Sequence, residues 1–354
     1  MKRFITFILI FILSITMVGC ERVVGEVPLY LFDINEAVKT SNNFMKSLSN
    51  EDIEGANKYC RNETIDTDEV IKMRENKIDS YKIDFVSEGP NYSYIRYLLI
   101  RRNENNVRAN LESLDLRVAK VDDSYLIDEV KTKGLKEVYK DKTSLRLLDE
   151  DTGKSQLLLR RRDMPKQVYP KEENIVLTEE DVPETDFSIV NIGFQGESIA
   201  MISSNGGNKL ISLAKVNKLK QTVGEAESGD INIDENIERL LEKPIAENIV
   251  GYDMLKNVEI QKVLFSDDDG ELIVQLKEKD KGTTIKIYRN PKGELLPLKL
   301  NVVFPNDKYS LDILRVTSAG VFIKSTALKE EKESEGVYLI DLKDLKVTKK
   351  DIED

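Results

Sequence analysis

The hydrophobic pattern divides the chain into segments of different period. From Phe4 to Met17 it is continuous and carries no charge. That run is short for a membrane-spanning helix, which needs about 20 apolar residues, and suits the apolar region of a signal peptide. From Ile34 the pattern becomes helical. Ile34, Ala37, Val38, Ser41, Phe44, Met45 and Leu48 recur at i, i+3, i+4 and i+7 among Asn, Glu, Lys and Ser, which predicts an amphipathic helix with one buried stripe. Ser49-Asn50-Glu51-Asp52 offers N-caps for a second helix with Ile53, Ala56 and Cys60 on one face. Thr67 or Asp68 can cap a third, short helix through Val70, Ile71, Arg74 and Ile78.

The period then switches to two. Tyr81, Ile83 and Phe85 share one face of a strand, with Asp84 on the solvent side. Gly89-Pro90-Asn91 turns the chain into a long strand, Tyr92 to Arg102, and Asn103 to Asn106 turns it back. In the next strand Val107, Ala109 and Leu111 hold one phase and Leu114, Leu116 and Val118 the other, so a β-bulge is expected near Glu112-Ser113. Asp122-Asp123-Ser124 leads into a last strand, Tyr125 to Val130.

Beyond residue 141 the pattern is a series of hairpins. Ser144 to Leu148 and Gln156 to Arg160 flank a polar turn, Asp149 to Lys154. Asp163 to Glu184 holds three of the nine prolines and reads as a surface connector. Three further groups of strands follow, turning at Gln195-Gly196-Glu197, Ser266 to Gly270 and Ser318-Ala319-Gly320. Ile231 to Leu255 reads as a helical insertion, with Ile237, Leu240, Leu241 and Ile245 on one face.

Two stretches carry a resemblance. The opening helix with its continuation FMKSLSNEDIEGANKYC, and the closing VAKVDDSYLIDEV, resemble the NTF2-like, cystatin-like family of helix-plus-curved-sheet domains. The resemblance implies an α+β fold over residues 34–140, with Phe44 packed on the concave face beside residues such as Tyr81 or Leu98. In such domains the interior is an active site, a ligand pocket or a plain core. No carboxylate is expected to point inward here, and the apolar stripe is sufficient to fill the space. Residues 141–354 are expected to form a β-rich antiparallel domain. Its cadence is loosely similar to WD40-like or TolB-like propeller blades, although Gly196, Gly270 and Gly320 lie 74 and 50 residues apart and no Trp-Asp signature exists. A small irregular propeller and a twisted sheet or sandwich both remain open.

Lys2 and Arg3, the apolar run and Met17-Val18-Gly19-Cys20 together resemble a bacterial lipoprotein signal with its lipobox, although Met17 stands where Leu is commoner. The resemblance implies cleavage before Cys20, so that residues 1–19 are the signal peptide and 20–33 a membrane-proximal linker. Cys20 would be diacylated, and two acyl chains give the stable anchoring that one does not. Cys60 would then be the remaining cysteine, a small core residue rather than a reactive thiol.

Composition narrows the chemistry. The 354 residues include no His and no Trp, which excludes every mechanism built on an imidazole base or ligand. Losing Lys2 and Arg3 takes 53 basic residues to 51 against 64 acidic, a balance of −13 that argues against nucleic acid as a partner. The Asp267 to Gly270 turn lacks calcium-loop ligands at its outer positions, and Gly153-Lys154-Ser155 lacks the first glycine of a phosphate loop. Arg160-Arg161-Arg162 with Arg96, Arg101, Arg102 and Arg108 either forms a basic patch or is paired locally. Tyr92, Tyr94 and Tyr97 give a weak signal for sugar stacking beside core packing.

No catalytic, cofactor or metal residue is therefore expected; the one candidate site residue is Cys20, for lipidation. The expected function is a non-enzymatic, lipid-anchored envelope protein on the outer face of the membrane. It would meet another envelope protein or a cell-wall polymer. A sensor for a small ligand or cell-wall fragment is the alternative. A carboxylate hydrolase or isomerase would need two inward acids about 5–10 Å apart.

Overall fold

Alternating apolar residues become strands almost everywhere from residue 76 onward, and those strands pair as antiparallel meanders in chain order. The computed structural model describes residues 32–62, 75–103, 105–171, 178–184, 186–216, 242–329 and 333–351. The signal region with Cys20 lies outside the described residues, as do the Thr67/Asp68 caps and residues 231–241 of the expected 231–255 helix. The chain divides into Met1–Asp33 and a second unit, Ile34–Asp354.

Helix α1 (Ile34–Ser49) buries Ala37, Ser41, Phe44, Met45 and Leu48, the stripe that its spacing predicts. Helix α2 is one turn, Ile53–Asn57, capped by the Asp52 carboxylate accepting from the Gly55 N–H at 2.9 Å. Both precede a six-stranded sheet: β1 (Asn76–Glu88), β2 (Tyr92–Asn103), β3 (Arg108–Val121), β4 (Ser124–Asp141), β5 (Ser144–Asp149) and β6 (Lys154–Arg160). The bulge opposite Leu111 and Glu112 is on β4, where Leu135 is the extra residue; β3 itself keeps an unbroken register with β2, so the bulge expected in β3 is not there. Glu112 points inward, against expectation, and the Arg101 guanidinium donates to it at 3.0 Å; the two residues are 1 % and 0 % exposed.

Three four-stranded sheets follow. Strands β9 (Asp186–Ile192), β10 (Ser198–Asn205), β11 (Asn208–Val216) and β12 (Ala246–Lys256) form the second sheet. The third holds β13 (Val258–Phe265), β14 (Glu271–Glu278), β15 (Thr283–Arg289) and the two-residue β16 (Glu294–Leu295). The fourth holds β17 (Tyr309–Thr317), β18 (Gly320–Ala327), β19 (Gly336–Asp341) and β20 (Lys346–Lys350). A short pair, β7 (Gln167–Val168) with β8 (Glu180–Asp181), lies in the connector, and a single helical turn, α3 (Leu300–Val303), follows β16.

The α+β class is therefore corrected. The described residues hold one long helix and two single turns beside antiparallel sheets, and the NTF2-like reading falls with it. Ile78 is in β1 rather than a third helix, and residues 246–255 are strand β12 rather than helix. The boundary expected at 140/141 falls inside one sheet. Strand β4 runs on to Asp141, across that boundary, and β5 and β6 extend the same sheet.

The sheets stack because the strands of the middle two are apolar on both faces. Ile100, Ala109, Leu111, Val138, Leu145 and Leu147 of the first sheet share a core with Phe187, Val190, Ile192 and Met201 of the second. Leu98 joins this core, on the face away from α1, so it is not a neighbour of Phe44. The second sheet's other face, with Ile202, Ile211 and Leu213, packs on Val263, Phe265, Leu272 and Val274 of the third. The third in turn packs Ile273, Ile285 and Ile287 on Leu311, Ile313, Val321 and Ile323 of the fourth.

Polar side chains join these layers. The Asn191 amide donates to the Val263 carbonyl, and Lys262 Nζ donates to the Ile313 carbonyl at 2.8 Å. Between β13 and β14 the Asp269 carboxylate accepts from the Phe194 N–H at 2.8 Å and the Gln195 N–H at 3.0 Å. A Cβ on Gly193 would lie 2.5 Å from that carboxylate, so the close approach requires glycine.

Two outcomes follow. Residues 34–140 expressed alone carry Ile100, Leu111 and Val138 with their partners removed; urea titration followed by circular dichroism should show no cooperative transition, and a sharp one would restore the expected boundary. Asp269→Ala strands two N–H groups in the interior and should lower unfolding stability by about 2–4 kcal/mol, measured as a shifted urea midpoint at unchanged slope.

Candidate functional site

The fourth strand of the third sheet is a stub. Strand β16 pairs only with Tyr288 and Arg289, and the Leu296 N–H donates to the Ile287 carbonyl, so strand pairing on the outer edge of β15 stops short of Thr284 to Lys286. A cavity of about 640 Å³ occupies that place. Its walls are β15 residues Thr284–Ile287, the Leu295–Val302 segment, Asp253–Lys256 from the second sheet's edge and Val258 from β13; Leu276, Pro170, Lys171, Glu180 and Glu278 complete it. Leu255, Leu276, Leu296, Leu298 and Leu300 make its floor apolar.

Its one buried carboxylate is Asp253, on β12. Three donors converge on it: the Lys171 N–H at 2.8 Å, Lys286 Nζ at 2.8 Å and the Tyr288 hydroxyl at 2.7 Å. Lys286 Nζ also donates to the Lys171 carbonyl at 2.7 Å. Lys286 and Tyr288 sit two residues apart on one face of β15, as strand alternation dictates. The cluster therefore straps the connector at Lys171 across two sheets. Burial, with the negative Asp253 beside it, pushes the Tyr288 phenol well above its ordinary range. A phenol so held donates its proton to Asp253 and is a poor base, and a carboxylate with three donors is a poor nucleophile.

Tyr252 stands beside this cluster, its ring centroid 5.9 Å from that of Tyr288, and donates to Asn290 Oδ1 at 2.9 Å. Gly293, at φ +71°, lets the following turn lie on the Tyr252 ring; a Cβ there would come within 2.3 Å. At the cavity mouth Lys256 pairs with Glu180 at 2.8 Å and Lys281 with Glu278 at 2.6 Å.

The structure disperses the other sequence candidates. Arg96, Arg101, Arg102 and Arg108 pair with Asp115, Glu112, Asp79 and Glu137, and Arg161 with Glu184, so the arginines are locally paired and make no patch. Tyr97 is buried with its hydroxyl 2.8 Å from that of Ser41, whereas Tyr92 and Tyr94 are exposed, edge to face at 5.3 Å. The Asp267 to Gly270 turn is a joint between sheets as well as a hairpin turn. Glu112, Asp253 and Asp269, the buried acids among the described residues, stand on three different sheets, each with its own donors. The described residues hold no group of three or more His, Cys, Asp or Glu able to bind a metal, and no helix among them is long and apolar enough to cross a membrane. Cys60 is partly buried, its thiol 3.8 Å from the Ala56 carbonyl.

Asp253 was hidden in the sequence by the helical reading of 231–255. The available signals were Gly251, a poor helix residue, and the Thr284-Ile285-Lys286-Ile287-Tyr288 alternation, which places Lys286 and Tyr288 together.

No family model and no curated protein matches the chain. Among solved structures it is similar to dipeptidyl peptidase 4 of Porphyromonas gingivalis, at 13% identity and TM-score 0.31 over 78% of this chain and 33% of that one. It is similar to the β-propeller domain of Cps50 (Swd1) from Myceliophteria thermophila, at 9% identity and TM-score 0.28, over 70% and 80% of the two chains. Prolyl oligopeptidase B of Galerina marginata matches at 10% identity and TM-score 0.21, over 78% of this chain and 43% of its own. The chain thus spans a third of the dipeptidyl peptidase and under half of the oligopeptidase. None of the three scores exceeds 0.31, so the β-rich architecture rests on the strand pairing itself.

Burial raises the phenols of Tyr81, Tyr97, Tyr252 and Tyr288. The folded chain keeps these protons where the unfolded chain releases them, so stability should be intact below about pH 10 and fall as pH rises past it. Urea midpoints measured across that range should fall less steeply for Tyr288→Phe; an equal fall would mean that the phenol ionises freely in place.

Proposed function

We propose that the chain is a lipid-anchored interaction protein of a bacterial envelope, held by Cys20 and binding a partner through the cleft beside β15. The cleft's chemistry carries the binding half of this reading. It is an apolar groove in which Asp253, Lys286 and Tyr288 hold one another and the Lys171 backbone. Such a wall offers shape and a few polar groups, the usual composition of a binding site, and its volume lies within the range for small-ligand and short-peptide sites. The anchoring half rests on the order of Lys2, Arg3, the uncharged run and Cys20. A net charge of −11 fits a protein or neutral-polymer partner better than a polyanion.

The peptidase activity named for two of the structural neighbours belongs to those proteins. A Ser-His-Asp triad is out of reach of a chain without His. Reading the cleft as a binding surface moves recognition away from the interior under α1, where Phe44 and Tyr97 are fully buried.

The test of anchoring is Cys20→Ala. The variant should accumulate as an unprocessed precursor and lose labelling by an alkyne fatty acid. Labelling at the wild-type level would end the anchored reading and leave the cleft unaffected.

A further inference from the structure

We propose that the cleft beside β15 binds a partner by strand addition: an extended, uncharged peptide segment takes the place of the missing length of β16. This rests on the reading of the cleft as a binding surface and is independent of anchoring at Cys20.

The second and fourth sheets show what a full fourth strand looks like. Strand β12 pairs along Asn208–Val216 of β11, and β20 along Val337–Asp341 of β19. In the third sheet β16 covers Tyr288 and Arg289 alone. The main chain of β15 shows which groups are left over. The Ile287 carbonyl accepts from the Leu296 N–H at 2.8 Å and the Arg289 carbonyl from the Gly293 N–H at 2.8 Å, while the Thr283 N–H donates to Ser310 Oγ at 3.1 Å. Odd-numbered residues therefore direct their main-chain groups off the outer edge, and by strand alternation Ile285 does too. Ile285 N–H and C=O, with the Ile287 N–H, have no hydrogen-bond partner among the described residues. Both residues line the cavity and are nearly buried, at 4 % and 1 % exposed.

Buried main-chain groups without partners are costly, and a strand edge accepts donors and acceptors only in the spacing of another strand. That spacing selects the occupant. The unpaired edge, three residues from Thr284 to Lys286, is about 10 Å long and matches a short extended segment. The cavity walls hold Lys171, Lys256 and Lys286 against Glu180, Asp253 and Glu278, a balanced set. With the leucine floor, this favours a segment that presents apolar side chains at alternate positions and carries no charge of its own.

The test uses the full-length chain in detergent and an acetylated, amidated hexapeptide of alternating threonine and valine. Hydrogen–deuterium exchange is read over Thr283–Arg289. The peptide should slow exchange of the Ile285 amide about tenfold, a gain in local protection that a new strand pair supplies. A fully N-methylated analogue of the same sequence, which cannot pair as a strand, should leave it unchanged. Val302→Arg alters a mouth residue that is 75 % exposed, and should abolish the slowing while leaving the thermal transition in place. Absence of slowing at saturating peptide, or equal slowing by the N-methylated analogue, would overturn strand addition. So would an Ile285 amide that in the free chain is already as protected as the paired Lys286 amide, because the chain would then be covering its own edge.

Discussion

The constraint on which this structure depends is that its two middle sheets are apolar on both faces. Strand β10 buries Ser198 to Ser203 without interruption, and β14 buries Leu272 to Leu276. A sheet built from such strands cannot leave a face in water, so each needs a second sheet on both sides, whereas the fourth sheet, with β17 alternating buried and exposed, packs on one. The stacking order follows: α1 covers one face of the first sheet, the second sheet covers the other, and the third and fourth continue the series. The same constraint accounts for the lost domain boundary, because Val138 and Leu145, on either side of it, share a core with Val190.

Apolar stacking alone leaves register undetermined, since one greasy face slides on another. The buried polar side chains supply the missing specificity. Asn191, Lys262 and Asp269 each reach from one sheet to a main-chain group of the next. Each bond contributes little net free energy, but leaving its partner unpaired is costly, so any slipped arrangement is penalised. Lys82 adds the first sheet to the same joint. It donates to the Asp267 carbonyl at 2.5 Å and lies 5.0 Å over the Phe194 ring.

Legibility in the sequence follows from the same physics. Where one face meets a polar environment, the period is visible: the α1 stripe and the hairpins at Gln195, Asp267 and Ala319 all stand where spacing and turn residues place them. Where both faces are buried the period disappears. Ile249 to Leu255 is such a run; as β12 it packs on two cores at once, and without alternation nothing in it ended the helix read from Ile237, Leu240, Leu241 and Ile245. Glu112 was misjudged for a related reason. The phase change in β3 was visible, but it is a change of buried face and not a bulge in that strand, and the partner that makes an inward carboxylate tolerable, Arg101, lies on the neighbouring strand. The cleft was illegible because it is made by what β16 lacks, and strand length is among the least determined features of a local pattern.

The position of the Asp253 cluster gives the cleft its stiffness. Asp253 comes from the second sheet, Lys286 and Tyr288 from the third, and Lys171 from the connector, so a single buried carboxylate fixes three separately mobile elements to one another. Their hydrogen bonds are directed at one another and away from the Ile285 edge, which leaves main-chain groups as the recognition chemistry of that wall. A wall fixed in advance loses little conformational entropy when a partner arrives, and this is how a groove with few free polar groups can still hold a segment. Stability and recognition thus draw on one set of contacts. Loosening the strap at Lys171 would weaken the fold at its seam and, through the same displacement, remove the surface on which the partner rests.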